Sequence, residues 1–145
     1  REKKGLAYAI HSYLNPYMDV GSLGIYAGTS EDRVQVVVSL ILEELKRLRN
    51  NLLTEKEMLQ AKELIKGNFL LSMESTDNRM IRLAKNEINF ERYVYPEDVI
   101  ASIDAITAQD VRNLACEIFT PDTITLAATG RVSQKDLSFN FGNNI

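Results

Sequence analysis

Residues 6–28, "LAYAIHSYLNPYMDVGSLGIYAG", decide the fold. Two short runs rich in Ile, Tyr and Leu flank "NPYMDVG", where Asn, Pro, Asp and Gly cluster as they do in turns. In the first run Leu6, Tyr8, Ile10 and Leu14 share one side, and Ala7, Ala9, His11 and Tyr13 the other. In the second, Leu23, Ile25 and Ala27 alternate with Gly24, Tyr26 and Gly28. That period of two predicts a hairpin of strands over 6–14 and 22–28. Upstream, "REKK" followed by Gly5 reads as the last charged turn of a helix with its glycine stop. A helix end at the very start implies that the beginning of the domain is missing.

Downstream the period changes to helical. In "TSEDRVQVVVSLILEELKRLRNN" (29–51) Thr29 is placed to cap a helix with Asp32 as its reciprocal partner. Val34, Val37, Val38, Ile41, Leu45 and Leu48 form its apolar stripe, expected to bury against the hairpin. "TEKE" supplies a capping box, Thr54 with Glu57, for a second helix with a stripe through Met58, Ala61, Ile65, Phe69 and Met73. "STDN" (75–78) breaks or re-caps it before a third helix over about 77–91. Pro96 marks the first turn of a fourth, and Thr107 with Asp110 caps a fifth that ends near Phe119. "TITLAATG" (123–130) reads as a returning strand. Two strands, about five helices and a third strand make an α+β domain, a mostly antiparallel sheet with helices on one face. Its expected span is residues 1–130, followed by a polar tail over 131–145.

Composition narrows function. The chain has 145 residues, a net charge of −3, one histidine and one cysteine. A mildly acidic chain offers no electrostatic reason to bind nucleic acid or an anionic membrane, and no apolar run approaches the roughly 20 residues of a membrane span. The lone Cys116 excludes an internal disulfide and, without a disulfide framework, favours the cytoplasm. A zinc site needs three or four ligands; His11 and Cys116 are far apart, so no metal site is expected within this chain. His11 beside alanines reads as structural or merely exposed, and Cys116, within a helix, as a small buried or half-buried hydrophobe. The carboxylate pairs Glu31/Asp32, Glu43/Glu44 and Glu97/Asp98 suit helix starts and solvated faces.

Pattern adds what composition does not. "REKKGLAY", "GIYAGTS" before a helix, "LTEKEMLQAKELIKGNFLLSMESTDNRM" and "IDAITAQDV" together resemble the C-terminal half of insulinase-type (pitrilysin-like, inverzincin) zinc peptidases, a group that includes mitochondrial processing peptidase and the core proteins of the respiratory cytochrome complex. The likeness runs from Arg1 to about Gly130. It implies that two α+β halves close over a peptide or unfolded polypeptide. The N-terminal half carries zinc on His-x-x-Glu-His, and the C-terminal half supplies an Arg and a Tyr with six residues between them. Arg1 and Tyr8 stand at that spacing. By this resemblance Tyr8 is catalytic, hydrogen-bonding the oxyanion, and Arg1 binds substrate by holding a main-chain carbonyl. His-x-x-Glu-His is not found here, so zinc is expected on a missing half or partner subunit, in a homo- or heterodimer. The implied function is the substrate-binding half of a zinc endopeptidase, inactive alone. The alternative is a non-catalytic scaffold or core-protein-like assembly subunit.

Overall fold

A computed structural model describes residues 5–132. The expected helix end at Arg1–Lys4 and all but the first two residues of the expected tail lie outside the described residues. Among the described residues the order is β1 (Ala9–Pro16), β2 (Gly21–Gly28), a 3-10 turn (Glu31–Arg33), α1 (Val34–Asn50), α2 (Glu55–Ser72), α3 (Thr76–Phe90), α4 (Pro96–Ala105) and α5 (Ala108–Ile118). The α+β class read from the sequence is the class observed.

Two compact units divide the chain. One holds residues up to Arg47 and those from Glu117 onward; the other is Leu48–Cys116. In the first unit, β1 and β2 pair antiparallel from Ala9 opposite Gly28 to Pro16 opposite Gly21. The turn is shorter than "NPYMDVG" suggested. Pairing reaches Pro16 and Gly21, and only residues 17–20 connect them, closed by Tyr17 N–H donating to the Val20 carbonyl at 2.8 Å. Pro16 sits at the strand end, where a missing N–H is tolerated.

The start of α1 departs from expectation. Thr29 does not cap it: its hydroxyl donates to the Leu6 carbonyl at 2.6 Å. Ser30 occupies the cap position of a single 3-10 turn without a side-chain cap bond, and α1 follows from Val34. Its buried residues are Val37, Leu42 and Leu45. Val34, Val38 and Ile41 are half-buried and line a cleft, so the inward stripe is centred nearer Leu42 than the sequence suggested. An apolar stripe at least 100° wide includes both Ile41 and Leu42, and periodicity does not say which faces densest packing.

The returning strand expected over 123–130 is not formed among the described residues. After α5 the Thr123 hydroxyl donates to the Ile118 carbonyl at 2.7 Å and closes a turn. Residues 124–129 then run without a ladder. Their β-branched composition suits a strand, but a strand exists only where a neighbour takes its backbone hydrogen bonds.

The second unit follows its capping signals closely. Thr54 and Glu57 form the full capping box of α2, with Thr54 N–H to Glu57 Oε2 at 2.9 Å and Glu57 N–H to Thr54 Oγ1 at 3.3 Å. Ser75 caps α3 by accepting from Asn78 N–H. Thr107 and Asp110 cap α5 reciprocally, and Pro96 opens α4. Lys66 joins α2 to α4 by bridging Glu63 at 2.7 Å and Asp104 at 2.9 Å.

Candidate functional site

Tyr8 follows a loop held at three points. Gly5 adopts φ +58°, the left-handed conformation that a helix stop requires, and its carbonyl accepts from Arg33 Nη1 at 2.7 Å. The Leu6 carbonyl accepts from Thr29, Ala7 is buried, and Tyr8 N–H donates to the Gly28 carbonyl at 2.9 Å. Residues 28–33 therefore fix the path of residues 5–8. The sequence offered one signal for this, a hydroxyl residue directly after a strand glycine, and the helix-cap reading of Thr29 concealed it.

The ring itself lies on bare backbone. A Cβ at Gly28 would stand 2.5 Å from Tyr8 Cε2 and 2.9 Å from Cζ. Gly28 pairs with Ala9, so the ring lies on the side that Ala9, His11 and Tyr13 share, not the one that alternation assigned. A bend at Tyr8, one residue before β1 begins, breaks that alternation. Tyr8 is 71% exposed, and its hydroxyl makes no hydrogen bond among the described residues. It is a free phenolic donor on a seated ring.

Tyr8 lines a cleft of about 730 Å³ within the first unit. Ile25 and Ala27 of β2, Val34 and Ile41 of α1, and the unladdered segment around Leu126 supply other parts of its wall. A mostly apolar wall with a phenol on its rim suits a polypeptide better than a small charged ligand.

Arg1, the other expected site residue, lies outside the described residues. His11 stacks on Tyr26, ring centroids 5.0 Å apart, and lies 6.1 Å from the Tyr13 ring. Cys116 is exposed, not buried or half-buried as expected, because its thiol turns to donate to the Arg49 carbonyl at 3.4 Å. Among the described residues no group of three His, Cys, Asp or Glu is placed to hold a metal ion. His11, beside Tyr13 and stacked on Tyr26, does not fit a zinc site, which needs three or four ligands.

Residues 1–65 match the family described as the peptidase M16 inactive domain. An uncharacterized zinc protease of Bacillus subtilis, YmxG, is 38% identical over 122 residues, covering 84% of this chain and 30% of that protein. Residues 1–65 thus belong to the peptidase M16 family. A second relative, an uncharacterized zinc protease of Rickettsia felis, is 34% identical over 123 residues, 85% of this chain and 30% of its own length. The chain thus spans about 30% of the length of these curated relatives. Its fold resembles a chain in complex III2 from Candida albicans with Inz-5 bound (TM-score 0.69, 20% identity, 76% of this chain and 27% of that one). A conserved protein from Enterococcus faecalis V583 matches with TM-score 0.66 and 25% identity over 79% of this chain and 27% of that one. No helix among the described residues is long and apolar enough to cross a membrane.

Proposed function

We propose that this M16 domain, residues 1–130 with 131–145 as a tail, is the substrate-clamping half of a zinc-dependent endopeptidase. The observation that carries the reading is Tyr8: an exposed phenol, unbonded among the described residues, whose ring is seated on Gly28 at the rim of a peptide-sized cleft. Family membership and the zinc-protease names of its relatives support the same class of chemistry. A zinc ion held outside this chain, on an N-terminal half or a partner subunit, would supply Lewis-acid polarisation of the scissile carbonyl. The Tyr8 hydroxyl donates to the carbonyl oxygen as negative charge gathers on it, an interaction that strengthens toward the transition state. Arg1 holds a neighbouring main-chain carbonyl; its planar guanidinium grips backbone without reading side chains.

Exposed apolar surface supports a second half. Leu59, Leu64 and Leu71 of α2 and Met80, Leu83 and Ile88 of α3 are all more than half exposed. Apolar surface of that extent is the kind that partner domains cover.

The test is Tyr8→Phe in the full-length parent paired with its zinc half. Loss of one transition-state donor should lower kcat about 10²–10³-fold with little change in KM. Arg1→Ala should raise KM at least as clearly as it lowers kcat, with Lys rescuing only in part. A Tyr8→Phe enzyme that turns over at the parent rate supports the competing reading, a non-catalytic scaffold of the same family.

A further inference from the structure

We propose that one face of the β1–β2 ribbon is a substrate-selecting plate, which takes an aromatic side chain of the bound peptide three to five residues from the bond being cut. The proposal rests on the role given to Tyr8 above and names the substrate feature that the same site reads.

The plate is built by register. The pairs on this face are Ala9–Gly28, His11–Tyr26, Tyr13–Gly24 and Asn15–Ser22, and none carries a carboxylate, an ammonium or a guanidinium. Two glycines on β2 face the rings of β1. A Cβ at Gly24 would overlap Tyr13 Cζ, as one at Gly28 would stand 2.5 Å from Tyr8 Cε2, so both rings lie close over bare backbone. Between them His11 and Tyr26 stack with an interplanar angle of 30°. Tyr8, Tyr26 and Tyr13 remain 71%, 49% and 48% exposed. A strand that needs only to be covered is served by aliphatic residues, as on the opposite side with Ile10, Leu14, Leu23 and Ile25. Rings over glycines instead present a low, pre-ordered aromatic surface that loses little side-chain freedom on binding.

Its position specifies its occupant. Tyr8 and Tyr26 also line the cleft, so the plate is continuous with the proposed reaction site. A strand rises about 3.3–3.4 Å per residue, which puts His11 and Tyr13 about 10 and 17 Å along the ribbon from Tyr8. An extended peptide advances at the same rate, so a side chain over His11 or Tyr13 belongs to a residue three to five positions from the carbonyl at Tyr8. The 6.1 Å between the His11 and Tyr13 rings is close to the spacing of alternate side chains in such a peptide. A peptide laid along β1 therefore places side chains of one face over successive rings. Rings favour aromatic guests by offset or edge-to-face contact beyond simple burial.

The experiment uses the full-length parent with its zinc half and a set of single-cut fluorogenic peptides. Phe is compared with Ala at each position two to seven residues on either side of the cut. On one side, within three to five residues, Phe should raise kcat/KM about three- to tenfold. Tyr13→Leu and His11→Leu, which keep apolar bulk but remove a ring, should collapse that ratio, and Tyr13→Phe should retain it. Tyr8→Phe should slow every peptide alike and leave the ratio intact, which separates failure of the Tyr8 role from failure of the plate. A flat Phe/Ala profile overturns the plate alone. So does a preference for Lys or Arg over Phe in that window, or a ratio that survives both Leu variants. A fall in melting temperature in both Leu variants with the ratio unchanged also overturns it, since the face is then covered by another part of the parent.

Discussion

Gly28→Ala is the sharpest perturbation of this site, because it moves Tyr8 without deleting it. The new Cβ would stand 2.5 Å from Tyr8 Cε2, whereas ordinary contact begins at 3.4 Å, so the ring must shift by about 0.9 Å. Cζ, which carries the hydroxyl, is itself only 2.9 Å from that Cβ, so the donor moves with the ring. A misplacement of about 1 Å in a catalytic group costs on the order of 100-fold in rate. Stability should respond differently. Tyr8 is 71% exposed, so its ring can swing outward into water. Gly28 has no positive φ that alanine would find strained, and a strand glycine is about 0.5–1 kcal/mol worse than alanine. The expected variant is therefore as stable as the parent by thermal denaturation, yet about 100-fold slower in steady-state turnover of one fluorogenic peptide. In a Tyr8→Phe background the same substitution should cost almost nothing more, since the group it displaces no longer donates. Gly28→Ala at the parent rate, or with the same penalty in both backgrounds, refutes the idea that Gly28 exists to seat Tyr8.

Three further outcomes test the scaffold. Leu42→Ala should lower unfolding free energy by about 2–5 kcal/mol, and Ile41→Ala, which faces the cleft and is only half-buried, by about 1–2 kcal/mol, scaled to the smaller area withdrawn from water; a denaturant titration that reverses the order places the core on the wrong side of α1. Thr54→Ala removes the hydroxyl that accepts from Glu57 N–H in the α2 capping box, while the backbone N–H of residue 54 can still donate to Glu57 Oε2, and should cost about 1 kcal/mol in the same assay, with Glu57→Ala adding less than its single effect because the pair acts as a unit. The Thr107 hydroxyl and then its backbone N–H hold the Asp110 carboxyl below its ordinary value, so this cap stabilises above the unfolded carboxylate range and is lost as pH falls through the lowered folded value; Thr107→Ala should return the Asp110 titration, followed by NMR, partway to the ordinary range, and an unmoved titration denies the hydroxyl its role.

Local signals were legible in the sequence where the structure answers them locally. Thr54 with Glu57 and Thr107 with Asp110 close their boxes within four residues, and Pro96 needs only a first turn, so each was readable without knowing the rest of the chain. The hairpin was legible for the same reason, a period of two on either side of a turn cluster. Residues 123–130 were not, because strand formation depends on a partner rather than on the β-branched residues that invite one. Thr29 failed in the opposite sense. It satisfied a cap pattern, but the Leu6 carbonyl, 23 residues away along the chain, competed for its hydroxyl and won.

The same non-local logic governs the candidate site. A family resemblance drew attention to Tyr8, and alternation placed it on the wrong side of its strand. Its actual position follows from contacts with residues 28–33: Gly28 beneath the ring and at its N–H, Thr29 on the Leu6 carbonyl and Arg33 on the Gly5 carbonyl. "GTSEDR" (28–33) therefore belongs to the site as fully as "GLAY" (5–8) does, although none of its side chains is assigned a chemical step. If that is right, Arg33→Ala should leave the phenol intact and still loosen the Gly5 end of the loop that delivers it. Its rate penalty should be smaller than that of Gly28→Ala, since Thr29 and the Gly28 carbonyl still hold the loop, and restoring a donor with Lys at position 33 should recover part of it. Equal rates for parent, Arg33→Ala and Arg33→Lys would mean that the loop holds its course without the Gly5 staple, leaving Gly28 and Thr29 to position Tyr8.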